Sequence, residues 1–174
     1  LTSRINIEGP IIKDKTSFIL GGRTTYSNWI TNLLPKNSGY RDAKVSFYDL
    51  NLSIAHHQND KNSFYATAYT SNDQSNLGTD TTFQYANRNL SVRWKHIFNE
   101  KLYSNISAGR DEYLYDNFSE YQTETDYRLK FSINQTRFKT NFNYAPNNKL
   151  NIEFGTNSIY YSNKPGALTP FSPQ

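Results

Sequence analysis

The chain contains no cysteine and no methionine. Without cysteine it has neither a disulfide framework nor a thiolate metal site. Aliphatic residues are scarce: AVILMFWYC together make 36% of the sequence, and aromatics alone supply 16%. A compact water-soluble core in a chain of this length ordinarily draws on more Leu, Ile, Val and Ala. No apolar run approaches the ~20 residues of a membrane-spanning helix, which excludes helical spans and leaves membrane strands open. Nor is one sign of charge concentrated. The formal net charge is +4, with Lys and Arg scattered along the chain, so a nucleic-acid footprint is not expected. The first residues, Leu1-Thr2-Ser3-Arg4, carry no signal-peptide pattern, and the last ones, Phe171-Ser172-Pro173-Gln174, read as mid-loop. Both ends are expected to be cut from something longer.

What fills the sequence instead is Tyr, Phe, Thr, Ser and Asn, at a mean hydropathy of −0.80. That composition fits a chain in which only every second residue is apolar, as in a membrane β-barrel. The aromatic content argues against disorder. The clearest stretch runs from Arg137 to Tyr161. Phe138, Thr140, Phe142 and Tyr144 alternate with Arg137, Lys139, Asn141 and Asn143. After Pro146-Asn147-Asn148-Lys149, the residues Leu150, Ile152, Phe154, Thr156, Ser158 and Tyr160 again hold alternate positions. Period-two alternation on both sides of a Pro/Asn turn predicts a β-hairpin.

The pattern recurs along the chain. Strands are expected over Ser3 to Glu8, Thr16 to Ser27, Lys44 to His57, Ser63 to Ser71, Thr81 to Phe98, Leu102 to Tyr115, Thr123 to Tyr144, and from Leu150 to a stop at Lys164-Pro165-Gly166. The connections alternate in length. Those near 10–15, 58–62, 99–101 and 146–149 are short; those near 28–43, 72–80, 116–122 and after 163 are longer or polar. This is an all-β antiparallel meander with tight turns on one side and long loops on the other. Its longest strands exceed the usual soluble strand and suit a tilted bilayer crossing. Within the first long connection Trp29, Ile30, Leu33 and Leu34 have helical spacing closed by Pro35, so a short loop helix is expected near residues 28–34. Gly21-Gly22 suggests close approach by another backbone. The apolar phase changes near Asn87-Arg88-Asn89, which is read as a bulge, and changes again at Asn134-Gln135. Pairing through the Asn99-Glu100-Lys101 turn should set Trp94 beside Ile106 and Val92 beside Ala108 on the apolar face, with Arg93, Lys95, Asn105 and Ser107 on the other.

Few residues suggest chemistry. His56 and His57 are strand neighbours, so their rings point to opposite faces and cannot share one ion. With His96 lacking an obvious partner, no metal site is expected and an interfacial role is favoured. Asp111, Glu112, Asp116, Glu120, Glu124 and Asp126 form an acidic group with no Lys or Arg between them. It is placed on an outer loop and its flanks, without the spacing of a calcium loop. Trp29 reads as a ligand contact or as the packed face of the loop helix. Tyr65 and Tyr69 share the face opposite the apolar one, where aromatics stack on a ligand or pack on a plug. There is no nucleophile, base and orienter in sequence, and no phosphate loop, so an enzyme is not expected.

The stretch EGPIIKDKTSFILGGRTTY, Glu8 to Tyr26, resembles the first barrel hairpin of TonB-dependent outer-membrane receptors; Gly9 to Phe18 is its most specific part. Phe142 to Asn147 and the following Leu150 to Tyr161, ending Lys164-Pro165-Gly166, are similar to a later hairpin of the same family. The group resembled is the Bacteroidota-type one that carries a carboxypeptidase-regulatory-like domain. The resemblance implies that residues 1–174 are a single segment, about eight strands, of a twenty-two-stranded transmembrane barrel, with plug and C-terminal strands absent. It implies energy-coupled uptake of a siderophore, glycan, peptide or vitamin at the outer membrane of a Gram-negative bacterium. The implied partners are outer-membrane lipid, the TonB complex through the missing plug, and the small-molecule, glycan or peptide ligand. A surface lipoprotein partner is allowed; no cofactor and no nucleic acid are implied. Ligand contacts are then expected among Trp29, Tyr65, Tyr69, Asp111, Glu112, Asp116 and Glu120. Two other readings stay open: a smaller structural or adhesion barrel of eight strands closed on itself, and a soluble β-sheet binding module. The Pro-rich tail argues against the first, and the second needs another sheet to cover the apolar positions.

Overall fold

The computed structural model describes residues 2–26, 31, 33–35, 38, 43–77, 79–119 and 126–170. They form β1 (Thr2–Ile12), β2 (Thr16–Tyr26), β3 (Lys44–Asn59), β4 (Asn62–Asn76), β5 (Thr81–Asn99), β6 (Leu102–Ser119), β7 (Tyr127–Asn147) and β8 (Leu150–Pro170). The strands lie in one antiparallel sheet in chain order. Ladders join each strand to the next, and among the described residues none joins β8 back to β1. The sheet is therefore open, which does not favour a small closed barrel. The expected loop helix falls mainly outside the described residues. Within that connection, the Leu34 amide donates to the Thr31 carbonyl at 3.0 Å, a single turn bond.

Alternation sets the two faces. Register places Ile7, Leu20, Leu52, Ala68 and Leu90 in one row across five strands, with Ala66, Val92, Ala108 and Phe138 in the next. The pairings expected from the β5–β6 turn are present: Trp94 faces Ile106 and Val92 faces Ala108, while Arg93 faces Ser107 and Lys95 faces Asn105. Among the described residues no second layer covers the apolar rows. Among the described residues Ala43 alone is a buried hydrophobe, while Leu50, Leu90, Val92 and Phe154 are each at least half exposed.

Toward the short turns the apolar face ends in a chain of rings, His56, Phe64, Trp94, His96, Phe98, Phe142 and Phe154, with centroid separations from 4.5 to 6.5 Å. Several carry a satisfied polar end. Trp94 Nε1 donates to Asn62 Oδ1 at 3.1 Å, and His56 Nδ1 meets Thr16 Oγ1 at 2.8 Å. Rings with one apolar side and one hydrogen-bonding end suit a boundary between hydrocarbon and water.

Toward the loops the face changes character, and here the structure corrects the sequence reading. No bulge exists at Asn87-Arg88-Asn89; the ladders of β5 with β4 and with β6 run through it unbroken. Likewise β7 pairs without a break through Asn134-Gln135. The two phase changes are one feature, because Arg88 faces Glu112 and Glu112 faces Asn134 across a single row. Beyond that row the polarity of the sheet is exchanged. The formerly apolar face carries Glu112, Asp116, Lys130 and Lys164, and the other face carries Tyr85, Tyr113, Tyr115 and Phe131. From Phe98 to Leu90 the apolar band spans about 27 Å along the strand, or ~20 Å in height at a barrel tilt near 40°.

All but one of the irregularities among the described residues sit near the turns instead. Register shifts follow His57, Ile97 and Tyr144, each just before an Asn-x-Lys turn: Asn59-Asp60-Lys61, Asn99-Glu100-Lys101 and Asn147-Asn148-Lys149. In each turn the Asn side-chain oxygen accepts from the Lys amide, at 3.0, 2.9 and 3.0 Å. A Lys carbonyl of one turn then accepts an amide from the next hairpin: Lys15 from His57 at 2.7 Å, Lys61 from Ile97 at 2.8 Å, and Lys101 from Ala145 at 2.8 Å. This repeat is visible in the sequence and was missed as a repeat.

Two further expectations fail. Lys164-Pro165-Gly166 does not end β8, which continues to Pro170 past a register shift opposite Phe131. Proline is tolerated because β8 is the edge strand among the described residues. At Gly21 the close approach is not backbone: a Cβ there would meet the Asn51 and Asn6 side chains at 2.7–2.8 Å.

Candidate functional site

Charged and aromatic side chains gather on the face opposite the apolar band, along β4 to β7. Two adjoining hollows of about 580 and 510 Å³ share Gln135 and form a trough. The larger, on the loop side, is lined by Tyr69, Asn87, Asn89, Asp111 and Tyr113. The smaller, toward the turns, is lined by Tyr65, Ser91, Arg93, Arg137 and Lys139. Strand alternation brings these groups together, since each lies an even number of positions from its neighbour on its own strand.

The expected site residues divide. Tyr65 and Tyr69 do share this face, but they differ in availability. The Arg93 guanidinium lies 4.3 Å from the Tyr65 ring centroid, and the His57 ring meets Tyr65 edge-on at 6.2 Å. Tyr65 is thus engaged as a cation–π partner. Tyr69 is 39% exposed, and among the described residues no ring stacks on it. Beyond it the face is paved by Tyr85, Tyr115 and Phe131, with centroids at 5.3 Å for the first pair and 4.8 Å for the second.

The acidic group does not converge. Asp111, Glu112 and Asp116 are not in a loop, because β6 runs to Ser119. Asp111 is in the trough; Glu112 and Asp116 are on the opposite face. Each is answered by an arginine from a neighbouring strand: Asp111 by Arg137 at 3.0 Å, Glu112 by Arg88 at 3.2 Å, and Asp116 by Arg128 at 2.5 Å. Asn89 also donates to Asp111. The cations absent from the linear segment are supplied across the ladder, which leaves these carboxylates poor calcium ligands. Trp29, Glu120 and Glu124 lie outside the described residues. His56 and His57 do point apart; His57 Nδ1 meets Ser63 Oγ at 2.9 Å. Sequence reasoning set Arg93 on this face without naming it as a site residue, and missed Asn89 and Lys139, which alternation from Arg93 along β5 and the pairing of Lys139 with Ser107 place here.

With Asp111 answered by Arg137, the trough keeps Arg93 and Lys139 without a carboxylate among the described residues. It can therefore hold anionic oxygens beside an exposed phenol ring.

An open meander of this kind has the form of a strip of β-barrel wall. Comparison with solved structures finds similar shapes. BauA, the ferric preacinetobactin receptor from Acinetobacter baumannii, superposes on 99% of this chain with a TM-score of 0.68 at 10% identity. The copper transporter OprC superposes on 93% with a TM-score of 0.63 at 6% identity. The chain spans 32% of the first protein and 26% of the second. At such identities the likeness is one of fold alone. No family model and no curated protein matches the chain.

Proposed function

We propose that this chain is a segment of the barrel wall of a TonB-dependent outer-membrane receptor that imports a small ligand by energy coupling. The observation that carries the reading is the uncovered apolar band, closed by a ring girdle on the turn side and by the row of exchanged polarity on the loop side. A soluble binding module would need a second layer over that band, and the described residues supply none. In lipid the band is satisfied, and the opposite, polar face becomes the barrel interior. The short turns then face the periplasm and the longer connections face outward.

The trough becomes part of the upper lumen. Arg93 and Lys139 favour a ligand with anionic oxygens, and Tyr69 offers a stacking surface. Siderophores, glycans, peptides and vitamins include such ligands, and the two solved structures above are a ferric preacinetobactin receptor and a copper transporter. In the full-length receptor, Tyr69→Ala is expected to weaken ligand binding about 2–10-fold, the worth of one aromatic contact. Tyr65→Ala should change binding little, since Arg93 already covers that ring. Titration of the purified receptor with its ligand checks both.

The transport reading is tested by removing the TonB system from cells carrying the full-length receptor. Binding to cells should persist and uptake should stop. Normal uptake without TonB would sink the importer and leave a structural barrel.

A further inference from the structure

Astride the row of exchanged polarity, the outward face holds a second hollow, of about 760 Å³, between β6, β7 and β8. Arg110, Lys130 and Lys164 line it. The nearby acids are already answered, Glu112 by Arg88 and Asp116 by Arg128. Among the described residues Arg110, Lys130 and Lys164 meet no carboxylate. In the wall of the same hollow, Asn134 Oδ1 is buried and has no donor. The hollow reaches down to the level of Leu90, which pairs with Arg110, and the apolar row of Val92, Ala108 and Phe138 lies next below it.

We propose that this hollow binds the phosphorylated, hydroxyl- or amide-bearing headgroup of an outer-leaflet lipid, whose acyl chains lie along the band below. The inference rests on the membrane reading above. Cations without partners at the limit of an apolar band select an amphiphile over a free anion, since only an amphiphile satisfies both surfaces. Register spreads the charges. Lys130 and Lys164 lie on adjacent strands about 8 Å apart, and Arg110 lies ~17 Å from Lys164 toward the band. That spread suits a headgroup with anionic groups at two ends, as in a diphosphorylated sugar lipid. Its N–H or O–H donors would answer Asn134 Oδ1.

The test uses the full-length protein purified in a non-ionic detergent. The probes are a diphosphorylated glucosamine lipid, phosphatidylethanolamine and inorganic phosphate, each added separately. The glucosamine lipid should be retained through gel filtration. The pair Lys130→Gln with Lys164→Gln should weaken its binding at least tenfold while heat-modifiable migration stays as in the wild type. Arg110→Gln should weaken it by a smaller factor, and Ser91→Gln, on the opposite face, should have no effect. Retention unchanged in the double variant overturns the proposal. So does full competition by inorganic phosphate, which would mark a simple anion site, or equal retention of phosphatidylethanolamine, which would mark annular lipid. A cysteine at Lys130 labelled from outside whole cells separates the two levels. If it is reached only from the periplasm, the membrane reading itself fails; if it is reached from outside and the lipid is not retained, only this inference fails.

Discussion

Val92→Arg is expected to destabilise the barrel by ~2–4 kcal/mol, whereas Ser91→Arg, one residue away, stays within about 0.5 kcal/mol. The two positions share a depth and differ only in face. Val92 lies mid-band between Ala66 and Ala108, half exposed to whatever surrounds the sheet. A guanidinium there must enter hydrocarbon or distort the bilayer. Ser91 lies between Thr67 and Gly109 and borders the trough, where a long cationic side chain has space and water. It forfeits one exposed hydroxyl bond with Thr67. Urea titration of the full-length protein folded into lipid vesicles gives both values. Equal losses would mean that the two faces are not lipid and water.

The second large effect is expected at Gly155. A Cβ on Gly155 would overlap the Thr140 carbonyl oxygen and stand 2.9–3.0 Å from the Thr140 carbonyl carbon and Asn141 Cα. These are backbone atoms of the paired strand, so they yield only by opening the β7–β8 ladder. Gly155→Ala should cost about 1–3 kcal/mol, the usual range for forcing atoms into a filled space. Gly9→Ala serves as control, because its added Cβ meets only a Phe18 ring carbon at 3.9 Å. The same titration reads both, and a loss at Gly155 no larger than at Gly9 would refute the contact.

Within the apolar band the sequence is legible, since one environment faces each side and alternation is strict. Hence β5 with its partner rows, from Leu90 to Trp94, follows from spacing alone. Legibility stops where the surroundings change. Asn72-Asp73-Gln74-Ser75 reads as loop because both of its faces are polar, yet Asn72 and Asp73 pair with Ala86 and Tyr85 as part of β4. The same blindness shortened β6 and β8. Arg88 and Asn134 looked like defects in one strand each, and only register shows that they share a level. The candidate site was half legible: alternation set Tyr65 and Tyr69 on one face, but Asp111 was read as part of an outer-loop group, and the arginines that answer each acid come from other strands, where no linear pattern marks them.

The clasp at the turn side has a consequence for how such a wall is made. Lys15, Lys61 and Lys101 each end a turn with a carbonyl that finds its donor only on the following hairpin. A newly laid pair of strands thus exposes one acceptor at a fixed height. The next pair can dock fully only when its bulge residue, His57, Ile97 or Ala145, reaches that acceptor. A slip by one residue would miss the bond and turn every side chain of the arriving strand to the wrong face. Growth of the sheet is thereby metered hairpin by hairpin, each one carrying the gauge mark for its successor.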